Sequence, residues 1–139
     1  MRSCRVSDLG TSTDGLTQAL AGGELYSLTL TNRSASACSV YGRPTSAQAT
    51  QRGRTFPIKM FPRPLFPSPV DQPESPGTVI LPPGRSAYIA LTSSHANGYN
   101  RTVVYSALSF RIQSVGARLT WHGAFEPDNG FGIGPVTLP

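Results

Sequence analysis

Charge is what this sequence has least of. Only 14% of its 139 residues are charged, against about 25% in ordinary globular domains. Lysine occurs once, at Lys59, and no carboxylate falls between Glu24 and Asp71. Long apolar runs are missing too. No stretch approaches the roughly 18 residues of a transmembrane helix, so no transmembrane segment is expected. The first residues, MRSCRVSDLG, have no apolar core and do not read as a signal peptide. Two cysteines and two histidines stand isolated as Cys4, Cys38, His95 and His122. A metal centre takes three or four ligands at suitable spacing, so no metal is expected. A Gly-x-Ser-x-Gly elbow and a phosphate-cradling glycine loop are both absent, and no cofactor is expected.

What the chain does have is hydroxyls, 14 glycines and 13 prolines around a 38% apolar fraction. Its length predicts one domain over residues 1–139, large enough for a core of its own. Two cysteines in a small, helix-poor chain suggest a disulfide formed in an oxidising compartment. Two buried thiols, or a chemical role, are the other readings. A Cys4–Cys38 bridge is worth about 3–4 kcal/mol in the chain-entropy picture. The expected location is therefore secreted or extracytoplasmic, with any leader already removed. Net charge is +5. Arg33, Arg43, Arg52, Arg54, Lys59 and Arg63 fill the acid-free interval, which either presents a cationic surface or simply keeps a charge-poor domain soluble.

Period-2 alternation dominates the pattern. In Leu25–Thr31, Tyr26, Leu28 and Leu30 point one way, and Ser27, Thr29 and Thr31 the other. Asn32-Arg33-Ser34 reads as a turn, after which Cys38 and Val40 resume an inward face. A first strand or edge segment is expected near 4–13, and further strands near 45–51, 55–60, 78–81, 87–92, 108–112, 119–122 and 135–138. Residues 13–23 and 125–134 read as connections. Arg52-Gly53-Arg54 and Leu81-Pro82-Pro83-Gly84 read as tight turns. Seven to nine short strands and no long helix predict an all-β chain folded as an immunoglobulin-like β-sandwich.

Residues 56–77 break the pattern. A Phe-Pro pair recurs at Phe56, Phe61 and Phe66, with further prolines between. Proline lacks the N–H that a central strand donates, so this segment cannot lie inside a sheet. It is expected as a Pro/Phe-rich loop crossing one edge or end of the sandwich, and loops of this length tend to be functional.

Several features together resemble a known family. They are Cys4 followed by Leu9, the strand Tyr26–Asn32, Cys38 ahead of Tyr41-Gly42-Arg43-Pro44, the Leu81-Pro82-Pro83-Gly84 turn and the terminal Gly134-Pro135-Val136. The family is a group of secreted or lipid-anchored domains of unknown function, abundant in actinobacteria. The resemblance implies an immunoglobulin-like sandwich, export, and a disulfide between Cys4 and Cys38. It supplies no catalytic residues.

Chemistry is weakly represented. Glu126 and Asp128 are the only carboxylates close in sequence, and they flank a turn proline. His122 is expected on a solvated strand face, His95 in a polar loop, and Trp121 in the core. The chain is expected not to be an enzyme. Nucleic acid is not expected as a partner, because the aromatics are Pro-locked and the disulfide places the chain outside the cell. The expected role is a non-catalytic binding or adaptor module for a protein partner, possible as one subunit of a secreted complex. Phe56, Lys59, Phe61, Arg63 and Phe66 are its candidate contact residues. An alternative partner is an anionic or carbohydrate polymer of the cell envelope, held by Arg52, Arg54, Lys59 and Arg63.

Overall fold

A computed structural model describes residues 1–20, 23–61, 77–94, 104–125, 131–134 and 136–138. Eleven strands lie within them: β1 (Leu9–Leu20), β2 (Gly23–Asn32), β3 (Cys38–Tyr41), β4 (Pro44–Gln51), β5 (Arg54–Pro57), β6 (Met60–Phe61), β7 (Thr78–Leu81), β8 (Ser86–Ser94), β9 (Tyr105–Ile112), β10 (Arg118–Phe125) and β11 (Phe131–Ile133). The only helical turn among these residues is a short 3-10 helix, Val6–Asp8. The strands form a five-stranded sheet in the order β1-β2-β8-β11-β6, a four-stranded sheet β10-β9-β4-β5 and a two-stranded sheet β3-β7. All pairings are antiparallel except β11 with β6.

Alternation places the core. Tyr26, Leu28 and Leu30 on β2 face Leu108, Phe110, Ile112, Leu119 and Trp121 from the four-stranded sheet in one buried cluster. The Tyr26 and Phe125 rings meet at 5.6 Å between centroids and bind the two sheets, and Phe110 packs on Trp121 within the second sheet, at 5.5 Å. The large sheets are joined along one side by β1 and β10, where the Thr11 hydroxyl donates to the Thr120 carbonyl at 2.6 Å. On the other side the chain leaves β5 and enters β6, and the Ile58 N–H donates to the Ala47 carbonyl at 2.9 Å. The arrangement is all-β and sandwich-like.

The disulfide joins Cys4 to Cys38, with 4.8 Å between their Cα atoms. It ties the N-terminal segment to β3, alongside the Cys4 N–H to Ser39 carbonyl bond at 2.9 Å. A further tie comes from Arg2, whose guanidinium reaches Asp8 at 2.7 Å and the Ser34 hydroxyl at 2.9 Å. That Arg2 contact, and next the Arg5 backbone N–H, hold the Asp8 carboxyl below its usual range. Reduction, or paired Cys→Ser substitution, removes a constraint worth about 3–4 kcal/mol from the unfolded chain. The expected result is a fall in melting temperature on the order of 10 °C. Calorimetry with and without reductant checks it.

Several expectations are corrected. Strands number eleven among the described residues rather than seven to nine. Residues 13–20, expected within a turn-rich connection, are strand. β1 runs to Leu20, and irregularities at Thr13/Leu16 and Leu16/Gln18 absorb Asp14-Gly15 without ending the strand. The first strand starts at Leu9 because Asp8 accepts the Arg5 N–H at 2.8 Å and closes a 3-10 turn. Phe131–Ile133, read as loop, is β11, too short and glycine-rich to show a period. Within 136–138, part of the expected terminal strand, only Thr137 pairs, in an isolated bridge with Tyr88. The start of the Phe-Pro segment is not irregular loop either, since it supplies the edge strands β5 and β6.

Candidate functional site

Three surfaces carry the side chains that bear on function. The first is the β5 edge. Arg52 and Gly53 both take positive φ, 50° and 75°, and form the two-residue turn that sets Gln51 opposite Arg54. Primed turns of this kind match the twist of a hairpin, and glycine adopts the second position without strain. With that register, Arg54 and Phe56 take the positions bonded to β4, and the Thr55 and Pro57 peptide groups face outward. Pro57 therefore loses no ladder bond, which is why an edge tolerates it. All four β5 residues are exposed. Phe56 lies opposite Ala49, which lies opposite Leu108, which lies opposite Trp121. It thus ends a core row at an uncovered edge, 38% exposed, its ring meeting Tyr105 edge-on at 6.2 Å. Ile58 and Met60, further along the chain, pack against the core.

A second surface is an open groove of about 600 Å³ between β7, the Pro82–Gly84 turn, the start of β8 and the C-terminal tail. Ile80 (50% exposed) and Leu138 (56% exposed) form its apolar sides, with Tyr88 and Arg85 beside them. The Ser86 hydroxyl is engaged with the Thr31 hydroxyl at 2.7 Å. Gly84, at φ 78°, allows the turn and donates its N–H to the Asn32 carbonyl at 2.7 Å. Sequence reading overlooked this groove. Its signal lay in Thr78-Val79-Ile80-Leu81, where Val79 and Leu81 are buried and Ile80 must point the other way.

The outer face of the four-stranded sheet is the third surface. Arg118 and Arg111 stand directly opposite one another on β10 and β9. Arg118 donates through Nη1 to the Ser46 carbonyl at 2.7 Å and to the Ser109 carbonyl and hydroxyl at 3.2 and 3.1 Å. Burial, and then the charge of Arg111, hold its guanidinium below the ordinary arginine value. This cover explains why Ser109, on the solvent side of its strand, is only 8% exposed.

The profile of the family described as domain of unknown function (DUF4232) matches residues 4–136. The chain belongs to that family. Comparison with curated proteins and with solved structures gave no match. For this DUF4232 member the match spans the segment from Cys4 through the closing Val136, so both cysteines and the Pro82–Gly84 turn fall within it.

Of the sequence-predicted contact residues, the structure places Phe56 on the β5 edge and Lys59 exposed between β5 and β6. Phe61 lies in β6, at the edge of the other large sheet. Arg63 and Phe66 lie outside the described residues, as do His95, Glu126 and Asp128. Phe56 and Phe61 are thus assigned to two different sheets and do not share one edge. His122 is exposed, and Trp121 is fully buried as expected of a core tryptophan. Among the described residues there is no cluster of metal-ligating side chains and no helix long and apolar enough to cross a membrane.

Proposed function

We propose that this DUF4232 domain is a non-catalytic, extracytoplasmic, immunoglobulin-like binding module that engages a protein partner through a sheet edge. One observation carries the reading: β5 is exposed at every residue and presents the Phe56 ring at an edge that nothing in the described chain covers. Aromatic anchors supply much of the energy of protein interfaces, and an edge strand offers outward peptide groups to a partner. Pro57 limits that pairing to the Thr55 peptide group and the Pro57 carbonyl, so the partner is held mainly by contact with the ring. Export is supported by the Cys4–Cys38 disulfide, a bond that persists in oxidising compartments.

The test is a photo-reactive phenylalanine analogue at position 56, introduced in the native host. It is expected to crosslink one protein species that the same probe at Ile80 does not capture. Phe56→Ala is expected to abolish binding of that species while costing only about 1–2 kcal/mol of stability, since the ring is partly exposed. Unfolding of Phe56→Ala, or identical adducts from both probe positions, makes the ring a core cap and overturns the reading.

A second reading, an anionic or carbohydrate envelope polymer as partner, is favoured by a separate observation. Asp8 is the only carboxylate among the described side chains, and Arg2 occupies it. Arg52 and Arg54 stand exposed at the β4–β5 turn, with Lys59 exposed beyond it. Binding of this kind weakens steeply with salt, whereas contact through Phe56 does not.

A further inference from the structure

The Arg111–Arg118 pair breaks a rule of sheet pairing. Like charges directly opposite on neighbouring strands are destabilising. In a chain with so few charges, setting two guanidiniums opposite each other needs a compensating gain. No carboxylate supplies it among the described side chains, where the one carboxylate belongs to Arg2.

The bonds of Arg118 show what the pair offers. Its Nη1 is taken up by Ser46 and Ser109. Ser46 sits at φ 55° in the irregularity between Thr45 and Gln48, so β4 bends its carbonyl toward the guanidinium. These three acceptors fix the plane of the group. The opposite edge, Nε–H with Nη2–H, has no acceptor from the described residues. That edge is the parallel two-donor fork that matches the two oxygens of a phosphate or carboxylate. Arg111 across the strand is exposed, and its guanidinium likewise has no partner among the described residues. Thr45 on the far side of Arg111 and Thr120 beside Arg118 add no negative charge.

We propose that the Nε–Nη2 edge of Arg118 and the guanidinium of Arg111 form an oxyanion-binding site on the outer face of the four-stranded sheet. The ligand is a phosphate or carboxylate group. Arg118 orients it through the fixed fork, and Arg111 adds charge from a side chain free to close over it. Binding neutralises the repulsion between the two arginines, so the site gains from the same arrangement that weakens the empty sheet. This site is separate from the β5 edge and stands whether or not Phe56 contacts a partner.

The test uses the full chain with arginine Nε–H groups followed by NMR. Inorganic phosphate and, separately, acetate are titrated at constant ionic strength against chloride. The Arg111 and Arg118 signals are expected to shift saturably and together, more than those of Arg52 and Arg54. Tighter binding of phosphate or of acetate tells which oxyanion the site prefers, and either result supports it. Arg111→Gln, an exposed change that relieves the repulsion, is expected to weaken binding about fivefold or more with the melting temperature preserved or raised. Arg118→Lys keeps the charge but removes the fork, and is expected to weaken binding comparably. Signals that do not saturate with either anion overturn the proposal. So do shifts no larger than those of Arg52 and Arg54, or an Arg111→Gln variant that titrates like the parent.

Discussion

Trp121→Ala is expected to cost the chain about 4–6 kcal/mol of its stability. The indole is fully buried on β10, at the end of the four-stranded sheet that adjoins β1. It packs on Phe110, and its Nε1–H donates to the Thr29 carbonyl at 3.0 Å across the sandwich. Truncation to alanine opens a cavity that costs about 3–5 kcal/mol. The orphaned donor leaves with the side chain, but Thr29 loses an acceptor bond at a further cost of about 1 kcal/mol or more. A domain of this size holds about 5–15 kcal/mol in all, so the sum consumes a large share of it. Trp121→Phe separates the two parts. It keeps most of the packing and loses the hydrogen bond, so it should cost less than half as much. Urea denaturation followed by circular dichroism measures both, and a Trp121→Ala variant within 1 kcal/mol of the parent would contradict this account.

That the tryptophan is structural was legible from sequence. Leu119 and Trp121 alternate with Thr120 and His122, and alternation is a local property that a half-buried strand writes into its own residues. The same holds for Tyr26–Leu30 and Leu108–Ile112, and for the turns at Gly53 and Gly84. Hidden from that kind of reading were elements whose partners lie far off in sequence. β11 is three residues long and exists because β8 and β6 flank it. β1 continues past Asp14-Gly15 because β2 pairs with it throughout. The proline-rich start of the Phe-Pro segment forms two edge strands, because an edge needs donors on one side only, and Pro57 sits where none is required. The candidate site divides in the same manner. Phe56 was found by composition. The Arg111–Arg118 pair was not, because the two residues are neighbours only through the β9–β10 register, and nothing in either local sequence reports the other.

Asn32→Asp is the more selective blow to stability. Asn32 ends β2 fully buried, and its amide acts as a connector between three segments. Its Nδ2 donates to the Leu81 carbonyl at 2.8 Å and the Ser36 carbonyl at 3.0 Å. Its Oδ1 accepts from the Ser34 N–H at 2.9 Å and the Ser34 hydroxyl at 2.7 Å. Its backbone closes on the far turn, donating to the Arg85 carbonyl and accepting from the Gly84 N–H. One side chain thus fixes the turn after β2 to the end of β7. Aspartate has the same shape but no amide donors. It would aim a buried carboxylate oxygen at two carbonyls, a loss on the order of 3–5 kcal/mol. The sign with pH follows. Burial and the facing carbonyls raise the folded-state pKa of the new carboxyl above its unfolded value of about 3.9. The penalty is therefore full above the raised folded-state pKa and shrinks as pH falls through it toward the unfolded value, where the protonated acid regains one donor. The variant should gain stability relative to the parent on acidification, the reverse of a surface Asn→Asp change, and Asn32→Ala should show no such slope. Melting temperatures of the three proteins across pH 4 to 8 decide it. A flat difference between Asn32→Asp and the parent would mean that Asn32 is not the closed connector that its four side-chain bonds describe.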